Sequence, residues 1–261
     1  MSRVSVEIEN HIARVTLTRG DKMNGIDMPL AEELAAAGQS LMDRDDVRAV
    51  VLSGEGRAFC AGLDVASFAV LAAGNPEEAI MPRTYGNTNL FQEICMIWRK
   101  LPVPVIAALH GVVFGGGFQI AMGADIRIAH PETKLSIMEM KWGLVPDMGG
   151  MVLLPPLTRS DVLRKMTYTN EQITAQQAES WGLVTELAED PLAAAMQLAT
   201  VIAEKSPTAI RAAKRLIEVA ETQGVDDVLM AESREQTDLI GKPEQMEVIA
   251  ANMQKRKPVF K

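Results

Sequence analysis

The chain has 261 residues, 48% of them hydrophobic and 23% charged, with a formal net charge of −8. That length holds one large domain, or a domain with an appendage, and the acidic balance excludes general nucleic-acid binding, which needs a basic face. Two cysteines, Cys60 and Cys95, make neither a disulfide framework nor a metal-binding pattern, which fits a reducing cytoplasmic setting. Val4, Val6 and Ile8 alternate with polar residues, as do Ile12, Val15 and Leu17 approximately, so an N-terminal hairpin turning at Glu9-Asn10 is expected. Asp27 is placed to cap a helix carrying Leu30, Leu34 and Leu41. Residues 47–52 form a β-branched strand that Ser53-Gly54 ends, residues 89–100 show helical spacing, and residues 103–109 form the next buried strand. A short helix from about Gly116 and strands at Ile126 to Ile128 and at 135–137 follow, and Pro155-Pro156 interrupts the next helical region.

No strand pattern appears after residues 184–187. From Asp190 the chain turns helical, with Asp190-Pro191 and Ser206-Pro207 each supplying a cap and a first-turn proline, and further helices over 225–240 and 244–254. A core over residues 1–195 and a helical region over 196–261 are expected. The apolar stripes of that region need a partner surface. No apolar run approaches the roughly 20 residues of a membrane span, and no signal-peptide pattern is seen.

The run Phe114-Gly-Gly-Gly-Phe-Gln119 joins a buried strand to a helix. Consecutive glycines cost backbone entropy and are tolerable where a ligand or another backbone approaches closely. Free N–H groups at such a junction can hold a phosphate or a developing oxyanion. A nucleotide site fits poorly, since Gly54-Glu55-Gly56 is followed by Phe59 where the third glycine of a dinucleotide fingerprint belongs, and the phosphate-loop Lys-Ser/Thr pair is missing. A second glycine segment, Arg57-Ala-Phe-Cys-Ala-Gly-Leu-Asp64, also follows a strand. Two such turns can aim two N–H donors at one oxygen, or they can be two ordinary tight turns. A third segment, residues 136–150, puts Glu139 and Asp147 among apolar residues, where desolvation makes a carboxyl a useful acid–base group. Against this stand an ion pair of Glu139 with Lys141 or Lys134, and a helix-capping role for Asp147. His11, His110 and His130 read as structural, Cys60 as a packing residue, and Lys22, Lys255, Arg256 and Lys257 as surface charges, with a phosphate contact open to them. The tract Met138, Met140, Met148 and Met151 reads as core that also suits an adaptable pocket wall.

Taken together, Arg57 to Asp64, His110 to Gln119 and Trp142 to Gly150 resemble the crotonase (enoyl-CoA hydratase/isomerase) superfamily. So do Asp21-Lys-Met-Asn-Gly-Ile-Asp27, Ser206-Pro-Thr-Ala-Ile-Arg-Ala-Ala-Lys214 and Lys255-Arg-Lys-Pro-Val-Phe260, in matching order over nearly the full length. The resemblance implies a mixed α/β fold, a spiral of ββα units with a C-terminal helical trimerisation region, assembled as a homotrimer or a dimer of trimers. It implies an acyl-CoA thioester as substrate, with coenzyme A part of that substrate and no further cofactor, no metal, no nucleic acid and no membrane. It implies that the Leu63 and Gly116 N–H groups form the oxyanion hole, and that Ala61 and Asp64 lie along the CoA moiety.

The resemblance also bears on the reaction. Hydratases of this kind carry two glutamates; Glu139 matches one, and Gln119 stands where the other is expected. A Gln exchanges no proton, though it can orient a water or a substrate group. Glu139 with Asp147 eight residues on resembles the dienoyl-CoA isomerase branch, which usually has an Asp at the Gln119 position. A dehalogenase branch, with a nucleophilic Asp at 147, has a Trp at the Glu139 position and fits less well. The reading is therefore double-bond isomerisation with Glu139, Asp147 and Gln119 as catalytic residues. Hydration and a non-catalytic CoA-ester binder are the alternatives. Residues 65–85 are expected to shape the acyl pocket as a mobile loop.

Overall fold

The computed structural model describes residues 2–64, 66–67 and 74–260, so residues 65 and 68–73 of the expected acyl-pocket loop lie outside the described residues. Strands β1 (Val4–Glu9) and β2 (Ile12–Leu17) form the expected antiparallel hairpin. Its turn falls at Asn10 and His11, with φ of 51° and 67°. From β2 the sheet continues in parallel through β3 (Ala49–Gly54), β4 (Val105–Leu109), β6 (Ile126–Ala129) and β9 (Glu186–Leu187), in the order β1-β2-β3-β4-β6-β9. A second sheet has the order β5-β7-β8, from Val112–Phe114, Lys134–Ser136 and Ile173–Thr174.

The middle strands of the large sheet are buried on both faces, and the alternation of side chains divides them cleanly. Ala13, Val15, Leu17, Val50, Leu52, Val105, Ala107 and Leu109 face the main core, which the helices Met28–Leu41, Leu90–Lys100 and Gly116–Met122 close. Ile12, Ala49, Val51, Ile106, Ala108 and Ile128 face a smaller core under the helix Pro191–Ala203, whose Ala195, Ala199 and Ala203 let it lie close to the sheet. That helix runs through position 195/196 while packing on the large sheet.

The connections explain the spiral. After β4 and β6 the chain crosses to a shorter strand, then to a helix or helical turn. β4 leads to β5 and the helix Gly116–Met122; β6 leads to β7 and the 3-10 turn Glu139–Trp142. After β3 the same crossing is marked by the parallel bridge of Cys60 to Val113, and after β2 by that of Ile26 to Leu63. Successive turns are thus stacked so that residues 60–63, 112–116 and 134–139 lie side by side.

Capping side chains start the helices where expected: Asp27 accepts from Leu30 N–H at 3.0 Å, Asp190 from Ala193 N–H at 3.0 Å and Ser206 from Ala209 N–H at 3.3 Å. Three helices end the chain, Pro207–Thr222, Val225–Leu239 and Pro243–Met253. Lys214 pins the first to the core, reaching Asp125 at 2.8 Å and the Val103 carbonyl at 2.9 Å. Large apolar side chains remain exposed along all three, among them Ile217, Leu229, Met230 and Met246. No helix among the described residues is long and apolar enough to cross a membrane.

Candidate active site

The stacked turns border a cavity of about 900 Å³. Six of the seven residues singled out from sequence line it: Ala61, Leu63, Asp64, Gly116, Glu139 and Asp147. Gln119 stands behind the wall, fully buried.

The two glycine turns converge because the backbone leaves no room for side chains between them. Gly62 has φ +91°, and a Cβ there would lie 2.8 Å from the Phe114 carbonyl oxygen and 3.5 Å from the Gly116 nitrogen. Gly115 turns the chain into its helix at φ +51°, a region L-residues avoid. Around Leu63 the alternation of bonding directions fixes the donor. Gly62 carbonyl accepts from Ile26 N–H at 2.8 Å, and Asp64 N–H donates to Ile26 carbonyl at 2.9 Å, so the Leu63 N–H between them points away from Ile26. Neither Leu63 N–H nor Gly116 N–H, the first of its helix, donates to an acceptor among the described residues. Two free N–H groups on adjoining turns can stabilise one anionic oxygen.

Glu139 opens the 3-10 turn after β7. It makes no ion pair among the described residues; its Oε1 accepts from Gln119 Nε2 at 2.6 Å, and its buried Oε2 has no partner there. Burial pushes its pKa above the ordinary carboxylate value, and the charge of Asp147 adds to that. Its hydrogen bonds, to its own backbone and to Gln119, act the other way. Asp147 does not cap the helix Gly150–Leu153, whose cap is Gly149 with no side-chain bond. Its side chain is exposed along the cavity, yet enough protein surrounds the carboxyl for desolvation to raise its pKa as well. The solvent that reaches it screens this effect, so the rise matters less than that of Glu139.

Asp64 is held rather than free. Its carboxylate accepts from Ala66 N–H at 3.0 Å and from Arg19 at 2.6 Å, and these bonds, in that order, lower its pKa. Arg19 also bonds the Gly25 carbonyl at 2.8 Å and so ties two turns together. It carried no signal in the sequence, since its partner lies 45 residues away. The cavity wall further contains Lys22, Arg57, Lys141, Trp142, Phe91 and Met148. Lys141 sits over the Trp142 ring at 5.4 Å instead of pairing with Glu139. Of these, the sequence points to Met148 as pocket wall and leaves a phosphate contact open to Lys22.

The weaker candidates fall outside the chemistry. His11 contacts the Asp46 carbonyl at 2.9 Å, His110 the Gly56 carbonyl at 3.0 Å, and His130 lies 3.7 Å from Glu189. Cys60 is fully buried, its thiol pKa pushed up to about 12 by desolvation, and it packs between turns with its S–H donating to the Asn24 carbonyl at 3.0 Å. No cluster of three metal-ligating side chains occurs among the described residues.

Two carboxyls with raised pKa beside a pair of free N–H groups suit proton transfer next to a carbonyl. Known proteins resemble the chain over almost its whole length. It is 31% identical to the 1,2-epoxyphenylacetyl-CoA isomerase of Escherichia coli, over 100% of this chain and 98% of that protein. It is 27% identical to the mitochondrial Delta(3,5)-Delta(2,4)-dienoyl-CoA isomerase of Dictyostelium discoideum, over 96% and 87%. The crystal structure of an enoyl-CoA hydratase from Bacillus anthracis superposes with a TM-score of 0.89 at 28% identity, covering 99% of both chains. The sequence pattern described as enoyl-CoA hydratase/isomerase matches residues 7–261. With the ββα spiral, the paired glycine turns and the match over almost every residue in agreement, the chain belongs to the enoyl-CoA hydratase/isomerase family.

Proposed function

We propose that the protein moves a double bond in an enoyl-CoA thioester by proton transfer through a stabilised enolate. In this reading the thioester oxygen accepts from Leu63 and Gly116 N–H, and Ala61 and Asp64 flank the CoA moiety. Lys22, Arg57 and Lys141 bring positive charge to the wall, as phosphate groups require. Glu139 takes a proton beside the thioester and returns one along the conjugated system. Asp147 serves farther along the acyl chain or orients it. CoA belongs to the substrate, and the chemistry calls on no other cofactor.

The observation that favours isomerisation over hydration is the state of Gln119. Its carbonyl oxygen already accepts from Met148 N–H at 3.0 Å and Gly150 N–H at 2.9 Å, and its amide nitrogen is turned to Glu139. The second proton-exchanging group of a two-glutamate hydration is replaced by an amide with no proton to give. Glu139 and Asp147 remain as two carboxyls in one cavity. Incubation with 2-enoyl, 3-enoyl and 3,5-dienoyl CoA esters in H₂¹⁸O, with products identified by mass and NMR, tests this. A shifted double bond without ¹⁸O is expected; ¹⁸O at C3 as the main outcome overturns isomerisation in favour of hydration. Tight binding with no turnover of any ester overturns catalysis.

The acid limb of the rate profile gives a second check. Asp147 raises the pKa of Glu139, so D147N lets Glu139 stay ionised to lower pH. The acid limb of the residual activity therefore moves to lower pH; a limb moving to higher pH contradicts the coupling.

The exposed apolar side chains of the last three helices support assembly as a homotrimer or a dimer of trimers. Light scattering is expected to return three or six chain masses; a monomer at micromolar concentration overturns this.

A further inference from the structure

Gln119 links three parts of the site with one side chain. It lies on the helix whose first residue is Gly116. Its Oε1 accepts from the N–H groups of Met148 and Gly150, just beyond Asp147, and its Nε2 donates to Glu139 Oε1. The two N–H donors leave no choice of amide orientation: the oxygen must face residues 148–150 and the nitrogen must face Glu139. We propose that Gln119 is the positioning residue of the site. Its N–H permanently occupies Glu139 Oε1, so that the proton comes and goes at Oε2, while its carbonyl fixes the Asp147 turn against the same helix.

Other side chains at this position do not hold Glu139 in this way, each for a different reason. A glutamate keeps the acceptor for the two backbone N–H groups but sets an oxygen against Glu139 Oε1, where two acceptors repel unless they share a proton. An aspartate is one methylene too short to span both partners. A leucine fills the space but strands two buried N–H donors and a carboxylate oxygen. A carboxamide donates to one side and accepts from the other at this length without needing a shared proton. The orphaned Oε2 of Glu139 agrees with this division of labour: one oxygen is held, the other is open.

The groups that act on the Glu139 carboxyl come from several elements. Asp147 lies on the following loop. Cys95, on the helix Leu90–Lys100, feels both carboxylates, but its buried thiol stays protonated, its pKa far above the usual range. Gln119 is the neutral member, and its hydrogen bond lowers the Glu139 pKa against desolvation.

The proposal assigns how Glu139 is held. It rests on the isomerase reading only for its kinetic part, so the closing experiment includes a readout free of turnover. ¹³C NMR of protein labelled at the glutamate side-chain carboxyl follows the Glu139 resonance, identified by its loss in E139Q. In Q119L, where the donor is gone, and in Q119E, where a like charge replaces it, Glu139 is expected to titrate at higher pH than in the parent. Turnover of the accepted ester falls about 100-fold, the scale of an approximately 1 Å misplacement, while KM changes less than threefold. Q119E retains the acceptor for Met148 and Gly150, so it stays folded even where Q119L does not. A folded variant in which Glu139 titrates as in the parent overturns the proposal. A shifted titration in a protein that turns over no ester upholds the clamp and removes the isomerase reading instead.

Discussion

Replacing Glu139 by Gln is expected to lower kcat by roughly 10²–10⁴, the usual contribution of a positioned acid–base group. KM should change little, since the substitution keeps the shape of the side chain and its acceptor toward Gln119. Normal turnover of E139Q on every accepted CoA ester would end the assignment. The same variant carries a stability signature of opposite sign. The folded-state pKa of Glu139 is raised by burial, so the folded protein holds its proton at pH values where the unfolded chain has released it. Stability is therefore lost as pH rises from the ordinary glutamate value through the raised one. E139Q removes that loss. The variant should melt at a higher temperature than the parent at pH 7, and the difference should vanish toward pH 4. A variant that is inactive and yet no more stable at pH 7 would mean that Glu139 is not held at a desolvation cost. The combined result, activity down and stability up, separates a functional carboxylate from a structural one, whose loss destabilises.

Much of this arrangement could be read from the residues, and the parts that could not share a cause. Asp27, Asp190 and Ser206 announce their helices because a cap acts on N–H groups two or three residues away. β3 and β4 were legible as apolar strands, since burial on both faces leaves a continuous run. β5, by contrast, has only three residues between Gly111 and the glycine triplet, too short for any periodicity. The stacking of Cys60 on Val113 that brings the two turns together depends on pairing across more than 50 residues. Motif resemblance supplied the expectation that Leu63 and Gly116 act together; the pattern of bonded neighbours supplies the physical reason that their N–H groups are free. Gln119 was read as a departure from a pattern, with a water or a substrate group as its partner. The partner is instead Glu139, 20 residues on, and that bond exists only after β5 and β7 pair. Local rules act over one turn; contacts between turns of the spiral are written in no local rule.

Gly116 offers the second large effect, because it allows the donor N–H to be removed where the fold tolerates the loss. It is the first residue of its helix, the position at which proline is accommodated and where the N–H has no intrahelical acceptor. The residue before a proline is restricted, but here it is Gly115, whose φ of +51° only glycine takes easily. The added Cβ would come within 2.8 Å of Ile26 Cδ1 and Met148 Sδ, the far ends of two flexible side chains that can give way. G116A bears this crowding and keeps the N–H, so it is the reference against which G116P is read. The proline ring also puts a methylene where the hydrogen was, and a saturated acyl-CoA ester, which binds without reacting, measures that steric part separately. Relative to G116A, G116P is expected to lower kcat by roughly 10²–10³, the cost of one oxyanion donor, with the affinity for the saturated ester changed far less. Exchange of the C2 proton with deuterium should slow by the same factor, because the enolate is the species the hole stabilises. If G116P turns over and exchanges as G116A does, the thioester oxygen does not sit on this N–H. If affinity falls as far as rate, the ring blocks the cavity and the test passes to Leu63→Pro against Leu63→Ala. In that pair a rate loss confined to the proline variant carries the same conclusion for the other half of the hole.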